Sequence, residues 1–248
     1  MLILASSSPR RRELLTQAGI PFRVVALPVE EGRHPGEEPV LYTQRLARAK
    51  AEVVYVAERH KAEKQKNEKP ADTKPHAEHH KPDRDAPLYR PAAKTPAPAP
   101  PPVIAVPATE HLLVLGADTI VVCDEHVLGK PADPHDAARM LKMLSGRTHR
   151  VITGVCLYSA VGVDVASETT FVTMQTLSDQ EIHDYIGTGE PADKAGAYAV
   201  QGRAGRWVPR IEGCYFNVVG LPLSLVGNLL EGMKAKLAAK PVLVAPTV

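Results

Sequence analysis

Side chains that could bind a phosphate group stand together near the start of the chain. The segment SSSPRRR, residues 6 to 12, follows the apolar run LILA and has Ser8 and Pro9 at the capping and first positions of an expected helix. Backbone N–H groups and the helix dipole at such a junction attract anions, and serine and arginine side chains add donors. The segment predicts an anion site, although an ordinary helix cap followed by solvated arginines would use the same residues.

Two separated carboxylates could complement this junction. Asp118 lies within VLGADTIVV, where apolar residues flank it on both sides, and Glu31 ends the second predicted strand region. A carboxylate among apolar residues must be paired or bound to a cation, so Asp118 is either a site residue or one half of a structural salt bridge. Glu31 is also compatible with a turn, and Lys130 in LGKP with an exposed loop. With Lys50 in RLARAKA, these residues are typical of a metal-assisted reaction on a polyphosphate.

Common motifs of other site classes are missing from the sequence. Neither the GxxxxGK[ST] of a P-loop nor the GxGxxG of a dinucleotide fold occurs. The three cysteines, Cys123, Cys156 and Cys214, have no spacing of the disulfide or zinc kind, which suits a reducing compartment. A secreted disulfide scaffold and a zinc ribbon are therefore excluded.

The elements that must position these residues alternate between strand and helix patterns, which favours an α/β fold. Before residue 58 the pattern predicts strands at 2–5 and 22–27, a helix from Pro9 closed by Gly19, and a long helix from Pro39. The apolar face of that long helix is expected to carry Leu41, Leu46, Ala49, Val53 and Val56.

Further elements are expected after residue 102. HLLVLGADTIVVCDEHVLGKP predicts two strand pieces joined at Gly-Ala-Asp-Thr, then an acidic turn. Asp133 and Pro134 start a helix, RVITGVCLYSA and DVASETTFVTMQT form an antiparallel pair, and Ser178 with Glu181 forms a capping box. WVPRIEG and YFNVV predict short strands, and a last helix starts near Pro222.

Residues 58 to 102 differ in composition from the rest of the chain. They hold ten of the 23 prolines and four of the ten histidines, and Leu88 is their only large aliphatic residue. Such a segment cannot bury enough apolar surface to fold by itself, so we interpret it as a disordered linker inserted into a single domain formed by 1–57 and 103–248. Its Lys/Glu-rich start is compatible with one or two further helical turns. His76, His79 and His80 fit its Lys/Glu/His repetition better than a metal site.

The charge balance argues against a nucleic-acid-binding protein. The inserted segment has ten Lys and Arg against seven Asp and Glu, so the remaining residues carry 20 against 21, a net charge of −1. A nucleic-acid-binding core would carry a basic face of its own. The sequence also has no apolar stretch long enough for a membrane helix and no signal-peptide pattern, so a cytoplasmic protein is expected.

The motifs LASSSPRRRELL, VEEGRHP, RLARAKA, GADTIVV, LSGRTHRVITGV, GEPADKAGAYAVQG and IEGCYFNVVGLPL together resemble the Maf family of nucleoside triphosphate pyrophosphatases. The similarity spans nearly the whole chain outside the insert, and AGAYAVQG indicates the dTTP/UTP pyrophosphatase branch. The resemblance implies an elongated α/β fold, a mixed sheet with flanking helices in two lobes around a cleft, related to the inosine triphosphate pyrophosphatases. It also implies hydrolysis of dTTP and UTP to the monophosphate and pyrophosphate with a divalent cation, Mg or Mn.

The resemblance assigns expected roles by position. Asp118 matches the catalytic acid, either as proton acceptor or as metal ligand, and Glu31 matches a second metal ligand. Three positions match those tied to the choice of base, and five match polar residues around the phosphates; these are Arg10, Thr119 and Gln201, and Ser6, Ser8, Arg11, Lys50 and Lys130. A glutamine amide both donates and accepts, so Gln201 could match the N3–H and carbonyl of uracil or thymine.

Two departures from the family leave questions open. The long insert replaces a short connection, and Ser7 stands where glycine is common. The insert also supports an alternative, a regulatory nucleotide-binding protein affecting septation with residues 58–102 as its partner tether. The choice among dTTP, UTP and modified pyrimidine nucleotides, the metal and a possible homodimer stay open at this point.

Overall fold

The computed structural model describes residues 2–67 and 112–239, which form seven strands, six α-helices and three short 3-10 helices. The strands are β1 (Leu2–Leu4), β2 (Phe22–Val24), β3 (Leu113–Cys123), β4 (His126–Leu128), β5 (Thr148–Ser159), β6 (Gly162–Thr173) and β7 (Arg210–Glu212). The α-helices are α1 (Pro9–Gln17), α2 (Pro39–Asn67), α3 (Pro134–Leu144), α4 (Asp179–Gly187), α5 (Tyr215–Val219) and α6 (Leu223–Ala239). The 3-10 helices are Glu190–Asp193, Ala195–Ala197 and Arg203–Trp207.

One mixed sheet organises these elements in the order β2-β1-β3-β5-β6-β7, with β4 added beside β3. β1 lies parallel to both β2 and β3, whereas the other pairs are antiparallel. The long β3–β5–β6 meander forms the centre, and the predicted antiparallel pair of β5 and β6 is present, joined by a two-residue connection. The expected α/β class and mixed sheet with flanking helices are confirmed.

Helix α2 packs very closely on one face of this meander because glycines stand beneath it. A Cβ atom at Gly116 would overlap the Ala47 carbonyl and lie 2.9 Å from the Ala51 nitrogen. A Cβ at Gly154 would overlap the Thr43 carbonyl in the same way. Small residues of α2 therefore face the sheet, and the helix backbone nearly touches it.

This close approach corrects the predicted apolar face of α2. Leu46 is buried as expected, but Leu41 is 58% exposed and Val56 is 43% exposed. Ala49 and Val53 are only partly buried. The residues that face the core are instead Thr43, Leu46, Ala47, Ala51, Val54 and Tyr55.

Two other predicted elements are wrong. GADT does not join two strand pieces, because β3 runs without interruption from Leu113 to Cys123. YFNVV is helix α5 instead of a strand. The buried Asn217 side chain explains the second difference, since its Nδ2 donates to the Val151 carbonyl at 3.0 Å and to Thr170 Oγ1 at 2.9 Å. These bonds hold the segment as a helical turn across β5 and β6.

The helix starts were predicted well. Asp133 accepts a hydrogen bond from the Asp136 N–H at the start of α3, and both bonds of the Ser178–Glu181 capping box are present in α4. Gly19, just past α1, has a φ of +66°, a conformation that favours glycine. These local signals are therefore sufficient to place these helix ends.

The predicted insert begins inside α2, which continues to Asn67. The rest of the 58–102 segment, including His76, His79 and His80, lies outside the described residues. The single domain of 1–57 and 103–248, and the role of the insert as a tether, stay predictions. In the two described ranges, no helix has the length and apolar character needed to cross a membrane.

Candidate active site

A gap beside β3 creates a deep cleft. β1 pairs with β3 only along Leu113–Leu115, and β4 pairs with it only along Val121–Cys123. Within the described part of the chain, no strand covers that edge of β3 in between. The resulting cleft has a volume of about 770 Å³ and its wall includes all ten predicted site residues, namely Ser6, Ser8, Arg10, Arg11, Glu31, Lys50, Asp118, Thr119, Lys130 and Gln201.

Asp118 lines the cleft and forms an ion pair with Lys50. The residue is 9% exposed, and its Oδ1 lies 2.7 Å from Lys50 Nζ. Lys50 Nζ also lies 2.6 Å from Glu31 Oε1, so one ammonium group bridges both carboxylates. The salt bridge that the sequence offered as an alternative is therefore present, but it lies in the wall of an open cleft.

The helix packing described above places Lys50. Asp118 pairs across the strands with Gly154 and projects from the same face of β3 as Gly116. Because α2 sits directly on these glycines, the side chain of Lys50 reaches the carboxylate. The two glycines thus connect the fold to the charge arrangement of the site.

The charges around Glu31 favour its ionised form. Burial raises the pKa of Glu31, but the hydrogen bond and charge of Lys50, together with Lys130 and Arg11, outweigh that effect and leave the pKa below its ordinary value. The Tyr42 hydroxyl donates to the Glu31 carbonyl at 2.6 Å. Burial, followed by the negative charges of Asp118 and Glu31, raises the pKa of Tyr42, so this phenol keeps its proton.

The helix start at SSSPRRR is arranged as an anion site would require. Ser8 is the N-cap residue of α1 and Pro9 follows it, as predicted. The Ser8 side chain makes no capping hydrogen bond, while its N–H contacts Ser6 Oγ at 3.3 Å. Among the described residues the hydroxyl of Ser8 is therefore not used by the helix, and a ligand in the cleft can approach it.

The guanidinium of Arg11 is buried and donates hydrogen bonds mainly to other groups of the protein. Its Nε donates to the Gly220 carbonyl at 2.9 Å, its Nη1 to Ser6 Oγ at 3.0 Å and the Ala117 carbonyl at 2.9 Å, and its Nη2 to Thr119 Oγ1 at 3.0 Å. Four of its five N–H groups thus bind the protein. Burial lowers the pKa of Arg11, partly opposed by the charge of Asp118. These bonds fix Ser6 and Thr119, and the expected contact of Arg11 with the phosphates stays a prediction.

Arg10 reaches across the cleft from α1. Its Nη1 lies 3.0 Å from Asp193 Oδ2, and its Nη2 donates to the Asp193 carbonyl at 3.2 Å. Asp193 also pairs with Lys194, and both residues line the cleft. Asp193, Lys194 and Tyr42 are cleft residues that were not predicted from the sequence. The charged pair inside the otherwise small-residue loop GEPADKAGAY was the available signal for the first two.

The remaining predicted residues occupy different depths. Thr119 Oγ1 lies 2.9 Å from Thr153 Oγ1 and accepts from Arg11, so its hydroxyl is held inside the protein. Lys130 and Gln201 are exposed on the cleft wall. The cleft therefore combines a hydrogen-bonded Thr119 in its wall with the exposed side chains of Lys130 and Gln201.

The oxygen atoms suit a hard divalent cation only in part. Glu31 and Asp118 are carboxylates whose oxygens both contact Lys50 Nζ, so they lie within two hydrogen-bond lengths of each other. In the described ranges, however, no group of three or more His, Cys, Asp and Glu side chains is placed to hold a metal. A cation bound there would need further oxygens from a substrate, as Mg²⁺ commonly does with phosphates.

The chain is similar over most of its length to proteins of one family. A family profile described as Maf-like protein matches residues 1–233. The dTTP/UTP pyrophosphatase of Koribacter versatilis is 47% identical over 93% of this chain and 93% of its own. The dTTP/UTP pyrophosphatase of Geobacter sp. (strain M21) is 42% identical over 93% and 94%, and that of Pseudoalteromonas atlantica 39% over 94% and 97%.

Proposed function

Because the chain belongs to the Maf family, we propose that it is a nucleoside triphosphate pyrophosphatase that hydrolyses dTTP and UTP to the monophosphate and pyrophosphate. One observation carries this proposal. Asp118, the side chains of Lys50 and Lys130, and the helix start at SSSPRR all line one cleft. Its volume of about 770 Å³ is typical of small-molecule sites.

The triphosphate binds along the helix start in this proposal. The hydroxyls of Ser6 and Ser8 and the N-terminus of α1 face the phosphates, and Lys50 and Lys130 balance their negative charge. Arg11 acts indirectly, since its hydrogen bonds to Ser6 Oγ and the Gly220 carbonyl hold the floor in place. These fixed donors need little rearrangement when charge moves onto the leaving group.

Hydrolysis requires that a water oxygen attack the α-phosphorus while the bond to the β-phosphate bridging oxygen breaks. The electron pair of that bond leaves with pyrophosphate, and Asp118 takes the proton of the water. An ordinary aspartate is a weak base at neutral pH, with a pKa of about 3.9. The reaction therefore depends on a second factor that makes the water more acidic.

A divalent cation, Mg or Mn, held by Glu31 and Asp118 would neutralise phosphate charge and make a nearby water more acidic. In the described ranges no third His, Cys, Asp or Glu side chain joins these two carboxylates, so oxygens of the substrate would supply the remaining ligands. The ammonium group of Lys50 already bridges both carboxylates. It would have to move away from them, or share their oxygens with the cation, when the cation binds. Chelation with EDTA is accordingly expected to stop turnover.

Base selection is proposed to depend on Arg10, Thr119 and Gln201. The Gln201 amide offers a donor and an acceptor to the carbonyl and N3–H of uracil or thymine. Arg10 is held by Asp193 and Thr119 by Arg11, so both have fixed positions.

All three cysteines are unpaired, which supports a cytoplasmic location. The homodimer stays a prediction.

A panel of triphosphates tests the proposal. Purified protein with Mg²⁺ or Mn²⁺ is incubated with dTTP, UTP, CTP, GTP and ATP in ¹⁸O-labelled water, and products are identified by mass spectrometry. We expect UTP and dTTP to give monophosphate and pyrophosphate in equal amounts, with the label in the monophosphate. Label in pyrophosphate, or release of inorganic phosphate alone, would contradict attack at the α-phosphorus.

A further inference from the structure

The residue proposed to contact the base lies on a tight turn. The Gly202 N–H donates to the Ala199 carbonyl at 3.0 Å, so Val200 and Gln201 occupy the centre of a four-residue turn. The side chain of Gln201 is exposed on the cleft wall. An exposed amide can distinguish one base from another only if the backbone beneath it is fixed.

One carboxylate fixes both ends of that turn. Glu190 Oε1 accepts a hydrogen bond from the Arg203 N–H at 3.1 Å, directly after the turn. The same atom accepts from the Tyr185 hydroxyl at 2.8 Å, and this hydroxyl accepts from the Ala199 N–H at 3.2 Å, at the start of the turn. The turn is thus held between a direct bond and a bond through one buried phenol.

The absence of a side chain at Gly202 leaves room for this carboxylate beside the turn. A Cβ at Gly202 would overlap Glu190 Oε1 and lie 2.6 Å from its Cδ, so glycine is required for the carboxylate to reach the turn. Tyr185 is itself buried edge-on against Trp207, with ring centroids 5.1 Å apart. The carboxylate of Glu190 therefore connects the turn to the buried core through Tyr185.

The segment that carries Glu190 also holds the opposite side of the base site. Glu190 starts the 3-10 helix Glu190–Asp193, and the last residue of that helix pairs with Arg10. Two of the three residues proposed to select the base are consequently tied to the same four-residue helix. A shift of this helix would move both together.

We infer that Glu190 is a positioning residue that sets base selection by holding the Gln201 turn, an inference that rests on the proposed function. Glu190 acts through its hydrogen bonds to the backbone of the turn and does not contact the substrate. It should therefore affect the choice between bases much more than the chemistry at the α-phosphorus.

The test compares Glu190→Ala, Gln201→Ala and the double variant by the ratio of kcat/KM for UTP to kcat/KM for CTP. Each single variant should lower this ratio about tenfold, the loss expected when hydrogen bonds to the base edge are no longer formed. The double variant should be no worse than Gln201→Ala, because both changes remove the same contact. Glu190→Gln should restore most of the ratio, since an amide oxygen can accept both bonds made by Oε1.

Two further variants separate positioning from loss of folding. Glu231→Ala, at an exposed position of α6, should leave the ratio unchanged. Tyr185→Phe keeps the aromatic packing but removes the bridging hydroxyl, so it should lower the ratio by a smaller factor. It serves as the second test if Glu190→Ala does not fold.

The outcomes distinguish this inference from the proposed function. If the unaltered protein releases no pyrophosphate from UTP, the proposed function fails and the inference with it. If Gln201→Ala lowers the ratio but Glu190→Ala and Tyr185→Phe do not, only the inference is overturned. It is equally overturned if Glu190→Ala slows UTP and CTP by the same factor, or if Gln201→Ala leaves the ratio unchanged.

Discussion

Replacing His149 with glutamine should make the protein less sensitive to acid. His149 is 2% exposed, and its Nε2 lies 2.8 Å from the hydroxyl of Tyr198, which lines the cleft. Its Nδ1 is buried, and no described residue bonds to it. Burial lowers the pKa of His149 from 6.5 to about 4, because a charged imidazolium would lose its solvation there.

The size of the effect follows from the difference in pKa. Above pH 6.5 the histidine is neutral in both states, but between 6.5 and about 4 only the unfolded chain takes up the proton. The free energy of unfolding therefore falls as the pH falls through this range, and below about 4 the effect is complete. At about 1.4 kcal/mol for each pKa unit, the loss between pH 7.5 and pH 4.5 is about 2.5 kcal/mol.

Urea unfolding followed by the fluorescence of Trp207, the single tryptophan, measures this loss at each pH. Glutamine can donate to the Tyr198 hydroxyl from a similar position but does not titrate. Between pH 7.5 and pH 4.5, His149→Gln should therefore lose about 2.5 kcal/mol less than the unaltered protein. The same substitution at His183, exposed on α4, serves as the control and should follow the unaltered protein. Parallel curves for His149→Gln and the unaltered protein would refute the argument.

Three further substitutions test the packing and charges of the cleft. Gly116→Ala should lower the free energy of unfolding by about 1–3 kcal/mol because α2 must move away, whereas Gly227→Ala, with open space around it, should be neutral or stabilising. Lys50→Met should reduce kcat/KM for UTP strongly and destabilise the protein by about 1–3 kcal/mol, since it leaves the buried Asp118 without its partner; an unchanged stability would contradict this. Asp193→Asn should raise KM for UTP by releasing Arg10, while thermal unfolding changes by no more than about 1 kcal/mol, as is usual for an exposed ion pair.

Much of the fold could be predicted from local signals. Capping residues at Ser8, Asp133 and Ser178 place three helix starts, because such signals depend on neighbouring residues alone. The face of α2 could not be predicted in this way. Periodicity selects large aliphatic residues, whereas the helix approaches the sheet through Ala47 and Ala51 above Gly116 and through the backbone of Thr43 above Gly154. YFNVV has strand-forming residues, but the bonds of Asn217 to β5 and β6 override that preference.

In the candidate site, too, some features could be predicted from the sequence and others depend on tertiary packing. The ten predicted residues line one cleft, and their individual assignment to base, phosphate or metal follows from the resemblance of motifs and not from spacing. The burial of Arg11 could not be predicted, because arginine after a helix cap is usually solvated and its carbonyl partners come from β3 and the end of α5. The bridge from Lys50 to two carboxylates likewise depends on the packing of α2.

Pyrophosphate release by Asp118→Asn tests the central claim most directly. The variant keeps the shape of the side chain but removes the carboxylate charge that Lys50 and a cation would share. With dTTP and Mg²⁺ or Mn²⁺, kcat should fall by about 10²–10⁴, while Asp184→Asn, on the exposed face of α4, should match the unaltered protein. Near-normal release from a folded Asp118→Asn protein would show that hydrolysis does not depend on this acid and would contradict the account.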